Sequence, residues 1–250
     1  MQNGTDIYDK SYEHNKTAYV LIGATNLLMA KEAADGYNVE RFFMEGHVDL
    51  HPDYEPLIPN KSISKYDMAV VTLRTPVNLN EHPNIKPACL PTKPLFPKSD
   101  PPRDAIASGW GSTEYNTSSK QPQSLASELL FTKVDIIGNS NIACHPQSVD
   151  SVPGSSNASE AESTFCAMSN VCRGDSGGPL VEVDEKGRYT LRGIASYANL
   201  HCGKGDPAGF VDVSKLLLTN DDNSTSGETN WLKRVLQSQP GANYCDGGLL

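Results

Sequence analysis

The chain has 250 residues, 38% of them hydrophobic, and carries 21 Lys and Arg against 30 Asp and Glu, a net charge of −9. That balance supplies a core of globular size and excludes a fibrous or disordered chain. No run of about 20 apolar residues occurs, which excludes a transmembrane helix; no Lys/Arg run marks a nucleic-acid partner, and the negative charge reads as solubility.

Residues 1–17 are polar and unpatterned, a flexible lead-in without the apolar stretch of a secretory signal. From Tyr19 onward, short apolar runs are broken by turn residues. They are Ala18 to Ile22, Met68 to Leu73, Leu129 to Phe131, Leu180 to Val183 and Tyr189 to Ala195. Many short strands with frequent turns predict an all-β, antiparallel barrel or sandwich protein. Pro91, Pro94, Pro97, Pro101 and Pro102 form a surface linker between two strand-rich halves. Residues 147–163 and 219–229 are Ser/Asn/Asp-rich loops. Trp231, Leu232, Val235 and Leu236 recur at helical spacing, so a short helix is predicted near 230–238, stopped by Pro240-Gly241 and followed by a tail, 240–250. Six Asn-x-Ser/Thr sequons and six cysteines favour an oxidising, extracellular compartment and a glycosylated product.

The strongest chemical signal is Cys172-Arg173-Gly174-Asp175-Ser176-Gly177-Gly178-Pro179-Leu180. A serine flanked by glycines sits on a tight turn open to substrate, and the N–H groups of Gly174 and Ser176 can face one side, where they hold a developing oxyanion. Read literally, Gly174 to Gly178 also fits the nucleophile elbow of α/β-hydrolases. That elbow needs a helix directly after the serine, and Gly177-Gly178-Pro179 is a poor helix start.

Here the chain resembles the chymotrypsin/trypsin-like serine proteases, whose nucleophile motif is Gly-Asp-Ser-Gly-Gly-Pro-Leu. Further likenesses follow in the family's order. Tyr66 to Leu73 resembles the strand bearing the triad aspartate, with His51-Pro52-Asp53-Tyr54 before it. Ile85 to Pro91 resembles the segment between the barrels, Ser108-Gly109-Trp110-Gly111 the start of the second barrel, and Ile194 to Ala198 with Cys202-Gly203 the substrate strand and pocket loop. The absence of one second-barrel cysteine pair resembles the arthropod clip-domain branch. The likeness spans roughly Val20 to Leu236 and places a protease domain at 18–239. It implies two packed antiparallel β-barrels, the first incomplete (18–95), the second at 103–217, with a C-terminal helix.

The resemblance makes Ser176 the acyl nucleophile, Asp67 the carboxylate that orients the catalytic histidine, and Gly174 and Ser176 the oxyanion hole. Asn170 would lie at the pocket floor, where members that cut after Lys or Arg carry Asp, so a weak or altered preference is expected. Ser196, Tyr197 and Ala198 would pair with the substrate backbone, and Ala198 and Gly209 would keep the pocket mouth open. The family's Ala-Ala-His-Cys segment is not found. Of the six histidines, His82, His145 and His201 follow Asp67, His51 matches a structural position, and His47 stands close before Asp67. His14 is a weak candidate base, because the residues before it are too polar for a buried strand. The family's Ile-Val-Gly-Gly-like start is also missing. The α-amino group of that start normally pairs with the aspartate before the nucleophile, so Asp175 is expected to stand unpaired and the oxyanion hole unformed.

These readings make the chain a secreted serine endopeptidase lacking the front of its protease domain, and little peptidase activity is expected of it as written. The alternative is a non-catalytic homologue acting as a binding or regulatory partner. Polypeptide substrates, protein inhibitors and cascade proteins are the partners implied; no cofactor, metal, nucleic acid or membrane span is. The resemblance also implies disulfides Cys144–Cys166 and Cys172–Cys202. It leaves Ala105 and Glu182 where many relatives have a further bridge. Cys89 is free, intermolecular or paired with Cys245.

Overall fold

A computed structural model describes residues 16–28, 43–54, 64–81, 84–95, 105–113, 115–116, 121–122, 125–138, 163–198, 205–218, 230–238 and 245. The chain divides into two compact units: 1–24, 28–50 and 69–86 form one, and 25–27, 51–68 and 87–250 the other.

The first unit carries a three-stranded antiparallel sheet, β1 (Lys16–Leu21), β2 (Phe43–Leu50) and β3 (Ala69–Leu73), in that order. Thr17 pairs with His47 and His47 with Thr72, so a polar row crosses one face of the sheet. Arg74 reaches Glu45 at 2.9 Å, an exposed ion pair of little energetic weight.

The second unit is built on a closed six-stranded barrel. Its strands are β4 (Ala105–Gly109), β7 (Leu130–Gly138), β8 (Thr164–Met168), β9 (Pro179–Val183), β10 (Tyr189–Ala198) and β11 (Pro207–Asp212), in the order β10-β11-β8-β7-β4-β9. A two-residue hairpin, β5 (Tyr115–Asn116) with β6 (Gln121–Pro122), stands apart from it. Closure removes the sheet edges and turns one face of every strand inward. Ala105, Ala107, Val134, Phe165, Ala167, Leu180, Ala195, Ala208 and Phe210 fill the interior. Phe165 and Phe210 stack at its centre, with ring centroids 5.6 Å apart. The mostly-β architecture, with its barrel, its second sheet and its C-terminal helix, fits the chymotrypsin-like fold the sequence predicts.

Two short helices follow the barrel, α1 (Val213–Leu218) and α2 (Trp231–Gln237). Asp212 starts α1: its Oδ1 accepts from Ser214 Oγ (2.6 Å) and the Lys215 N–H (3.1 Å). Ser214 Oγ in turn accepts the Leu95 N–H at 3.0 Å, fastening the end of the 87–95 segment. That segment runs along β10, with the Cys89 N–H donating to the Tyr189 carbonyl and the Leu191 N–H to the Cys89 carbonyl. Cys89 is disulfide-bonded to Cys245, which resolves the three alternatives for this cysteine. Cys166 and Cys172 are each in a disulfide as well; Cys144 and Cys202 lie outside the described residues. No helix among the described residues is long and apolar enough to cross a membrane.

Candidate active site

The turn between β8 and β9 presents Ser176 to solvent. Two tight turns shape it, the Asp175 N–H donating to the Cys172 carbonyl (3.1 Å) and the Gly178 N–H to the Asp175 carbonyl (2.8 Å). Gly174 and Gly177 take φ of +98° and +82°, which explains why glycine flanks the serine. A Cβ at Gly174 would also meet Leu125 Cδ2 at 2.6 Å, so the leucine tip would have to shift. The turn is sewn to β10 by the Gly177 N–H on the Ala195 carbonyl (2.8 Å) and the Ala195 N–H on the Gly178 carbonyl (2.9 Å).

Asp67 meets the same strand. Ala195 pairs with Phe210 and Tyr197 with Gly209, so Ser196 is an extra residue on β10, a bulge without a partner on β11. A bulge re-aims the side chain it carries. Here Ser196 Oγ donates to Asp67 Oδ2 at 2.6 Å, across 129 residues of chain. Asp67 is thus linked through Ser196 to Ala195, the residue that holds the Ser176 turn.

Asp175 does not stand unpaired, contrary to the expectation from the sequence. Its Oδ1 accepts the Gly111 N–H at 2.8 Å and its Oδ2 the Cys172 N–H at 2.9 Å. Half-buried, it takes two backbone donors where a cation was expected, and these anchor the turn at its base. Close packing is required around it: a Cβ on Gly109 would fall 2.1 Å from Asp175 Oδ1, and one on Gly111 2.4 Å from its carboxyl group. A cavity of about 270 Å³ opens beside it, lined by Gly109, Gly111, Leu130, Phe131, Asn170 and Asp175 among others.

The remaining residues of the predicted pocket are placed as follows. Asn170 is exposed, and both ends of its amide are engaged: Nδ2 donates to Thr132 Oγ1 (3.1 Å) and Oδ1 accepts the Gly205 N–H (2.7 Å). Ala198 pairs with Ala208. Gly209 is buried, and the position of a Cβ there would lie 2.0 Å from the Tyr197 ring. This glycine makes room for the tyrosine ring. Burial pushes the Tyr197 phenol up to about 12, partly offset by its hydrogen bond with Thr164. A phenol whose folded pKa exceeds its unfolded value of about 10 binds its proton more tightly in the native state. Its contribution is full below pH 10 and is lost as pH rises through 12, roughly 2–3 kcal/mol in all. The Tyr197→Phe chain should therefore lose stability less steeply over pH 10–12 in urea titrations.

Among the described residues, the histidines are His47 and His51. His47 is exposed on β2, its Nε2 3.4 Å from Asp49 Oδ1. His51 lies flat against Tyr66, with ring centroids 4.6 Å apart. His14, His82, His145 and His201 fall outside the described residues. Sequence reasoning missed one feature of the barrel altogether, a buried pair in which Arg192 Nε reaches Glu182 Oε2 at 2.7 Å while Arg192 Nη1 donates to the Lys93 carbonyl at 2.8 Å. Charged residues inside otherwise apolar strands were the available signal.

A glycine-flanked serine on a turn of a closed β-barrel, tied to the strand that binds a distant aspartate, defines the chymotrypsin-like class. Residues 13–218 match the family model described as Trypsin, and the chain belongs to that family. It is 31% identical over 194 residues to clotting factor C of Tachypleus tridentatus, covering 73% of this chain and 17% of that protein. Spermosin of Halocynthia roretzi is 32% identical over 155 residues, 60% of this chain and 34% of that protein. Phenoloxidase-activating factor 2 of Galleria mellonella is 29% identical over 183 residues, 70% of this chain and 55% of that protein. The chain thus spans between about a sixth and about half of these relatives.

Proposed function

We propose that this chain carries the peptidase site of a secreted serine endopeptidase that acts on polypeptides, among the proteins of a proteolytic cascade. The observation that carries this reading is the Ser196–Asp67 hydrogen bond, which brings the acid and the nucleophile turn onto one strand. Ser176 Oγ attacks the substrate carbonyl, and the N–H groups of Gly174 and Ser176 face the oxyanion that forms. Asp67 orients the imidazole that takes the serine proton and stabilises it once charged. Ser196 to Ala198 receive the substrate as an added strand. Extracellular placement is supported by the disulfides and by relatives named for clotting and phenoloxidase activation.

Neither described histidine is suited to be the base. His47 is paired with Asp49, and His51 is held by stacking and by the Asp53 N–H on its Nδ1 at 3.2 Å. A second reading follows from this, a non-catalytic homologue that binds a cascade protein through the same surface. Loss of one triad member costs roughly 10⁴-fold or more in rate. Fluorophosphonate should therefore label Ser176 over about a week where an intact triad takes minutes, and not at all in Ser176→Ala. Rapid stoichiometric labelling would mean that a working base is present, with His14, which lies inside the family match, the first to substitute. Complete inertness of Ser176 would favour the non-catalytic reading.

A further inference from the structure

The carboxylate that orients the base stands on a turn the backbone does not favour. Tyr66, next to Asp67, has φ +50°, a left-handed conformation costly for a bulky side chain. The Met68 N–H donates back to the Tyr66 carbonyl at 2.7 Å, leaving Asp67 at the apex of a three-residue turn. Such strain persists only where neighbours over-determine it. Ser163 Oγ accepts the Tyr66 N–H at 3.2 Å. The His51 N–H donates to the Met68 carbonyl at 3.0 Å, and the His51 ring lies on the Tyr66 ring with the planes 9° apart. That imidazole is itself braced twice. Its Nδ1 accepts the Asp53 N–H, and Trp231 of α2 meets it at 4.9 Å and 59°.

We propose that His51 is a positioning residue: its braced imidazole clamps Tyr66 in the left-handed conformation and so aims the Asp67 carboxylate at Ser196. The clamp couples the C-terminal helix to the acid of the site. Its catalytic meaning rests on the peptidase reading, whereas the clamp itself concerns only the turn.

The test compares the full chain with His51→Ala, His51→Phe, Tyr66→Gly and the double variant His51→Ala/Tyr66→Gly by amide hydrogen exchange. In His51→Ala the Met68 amide should exchange about tenfold faster, the factor for releasing a strained backbone residue. Amides of β8 and β11 should keep their protection. His51→Phe retains a flat ring and should restore most of it. In the Tyr66→Gly background, removing His51 should matter much less, because glycine adopts positive φ freely. Unchanged Met68 exchange in His51→Ala, an equal effect in both backgrounds, or uniform loss across the barrel would each overturn the clamp. Fluorophosphonate labelling of the parent is read beside it: inert Ser176 removes the peptidase reading, while the exchange pattern alone decides the clamp.

Discussion

Replacing Arg192 with methionine should cost about 3–5 kcal/mol of folding stability, the range for removing one member of a buried ion pair. The thermal midpoint should fall by on the order of 10 °C. Arg192 and Glu182 are almost fully enclosed, with side chains 6% and 8% exposed. The register explains how the pair forms. Leu191 pairs with Val181 and Gly193 with Leu180, so Arg192 is an extra residue on β10, free to turn its side chain toward Glu182. One guanidinium then binds the carboxylate of β9 and the Lys93 carbonyl together, locking β9, β10 and the 87–95 segment. Arg192→Met takes the guanidinium away from the buried Glu182 carboxylate and from the Lys93 carbonyl. The double variant Glu182→Leu/Arg192→Met removes both charges and should recover most of the loss, since a well-packed apolar pair often matches a buried ionic one. Urea denaturation of the two variants decides the matter. A single variant as stable as the parent would show that the pair adds nothing beyond its packing.

Asp175→Asn should destabilise the chain by about 3 kcal/mol and loosen the Ser176 turn. The carboxylate accepts from two backbone amides through its two oxygens. An asparagine keeps one acceptor and turns a donor toward the other amide, so one hydrogen bond becomes a repulsion. Gly111→Ala should act in the same direction, because its new Cβ would meet the carboxyl group at 2.4 Å. Hydrogen exchange over residues 172–178 reports the local effect, and urea denaturation the global one. If those amides keep their protection in Asp175→Asn, the carboxylate is not what holds the turn.

The parts of this molecule legible in the sequence are those carried by consecutive residues. The Gly174 to Leu180 run announces its turn because two positions demand glycine in the left-handed region. The apolar runs at 68–73, 180–183 and 189–195 fall on β3, β9 and β10, and the helical spacing from Trp231 on α2. What stayed hidden depends on where a side chain points once strands have paired. Glu182 reads as the empty half of a lost bridge. In the barrel it does lie opposite Ala105, yet its function there is to meet Arg192, whose inward turn comes from a bulge no alternation reveals. Nothing in the sequence shows that the Tyr197 ring lies against Gly209 in the fold. Asp175 was expected to need an incoming cation, because nothing in the sequence says that the amides of Gly111 and Cys172 converge on it.

The bond between Cys89 and Cys245 encloses 156 residues of sequence. In the chain-entropy account, closing so long a loop removes about 5 kcal/mol of freedom from the unfolded chain. It also makes the protein tolerant of being cut. A single peptide bond severed between those two cysteines, in the Ser/Asn/Asp-rich 147–163 segment for instance, leaves two fragments that still migrate together until a reductant is added.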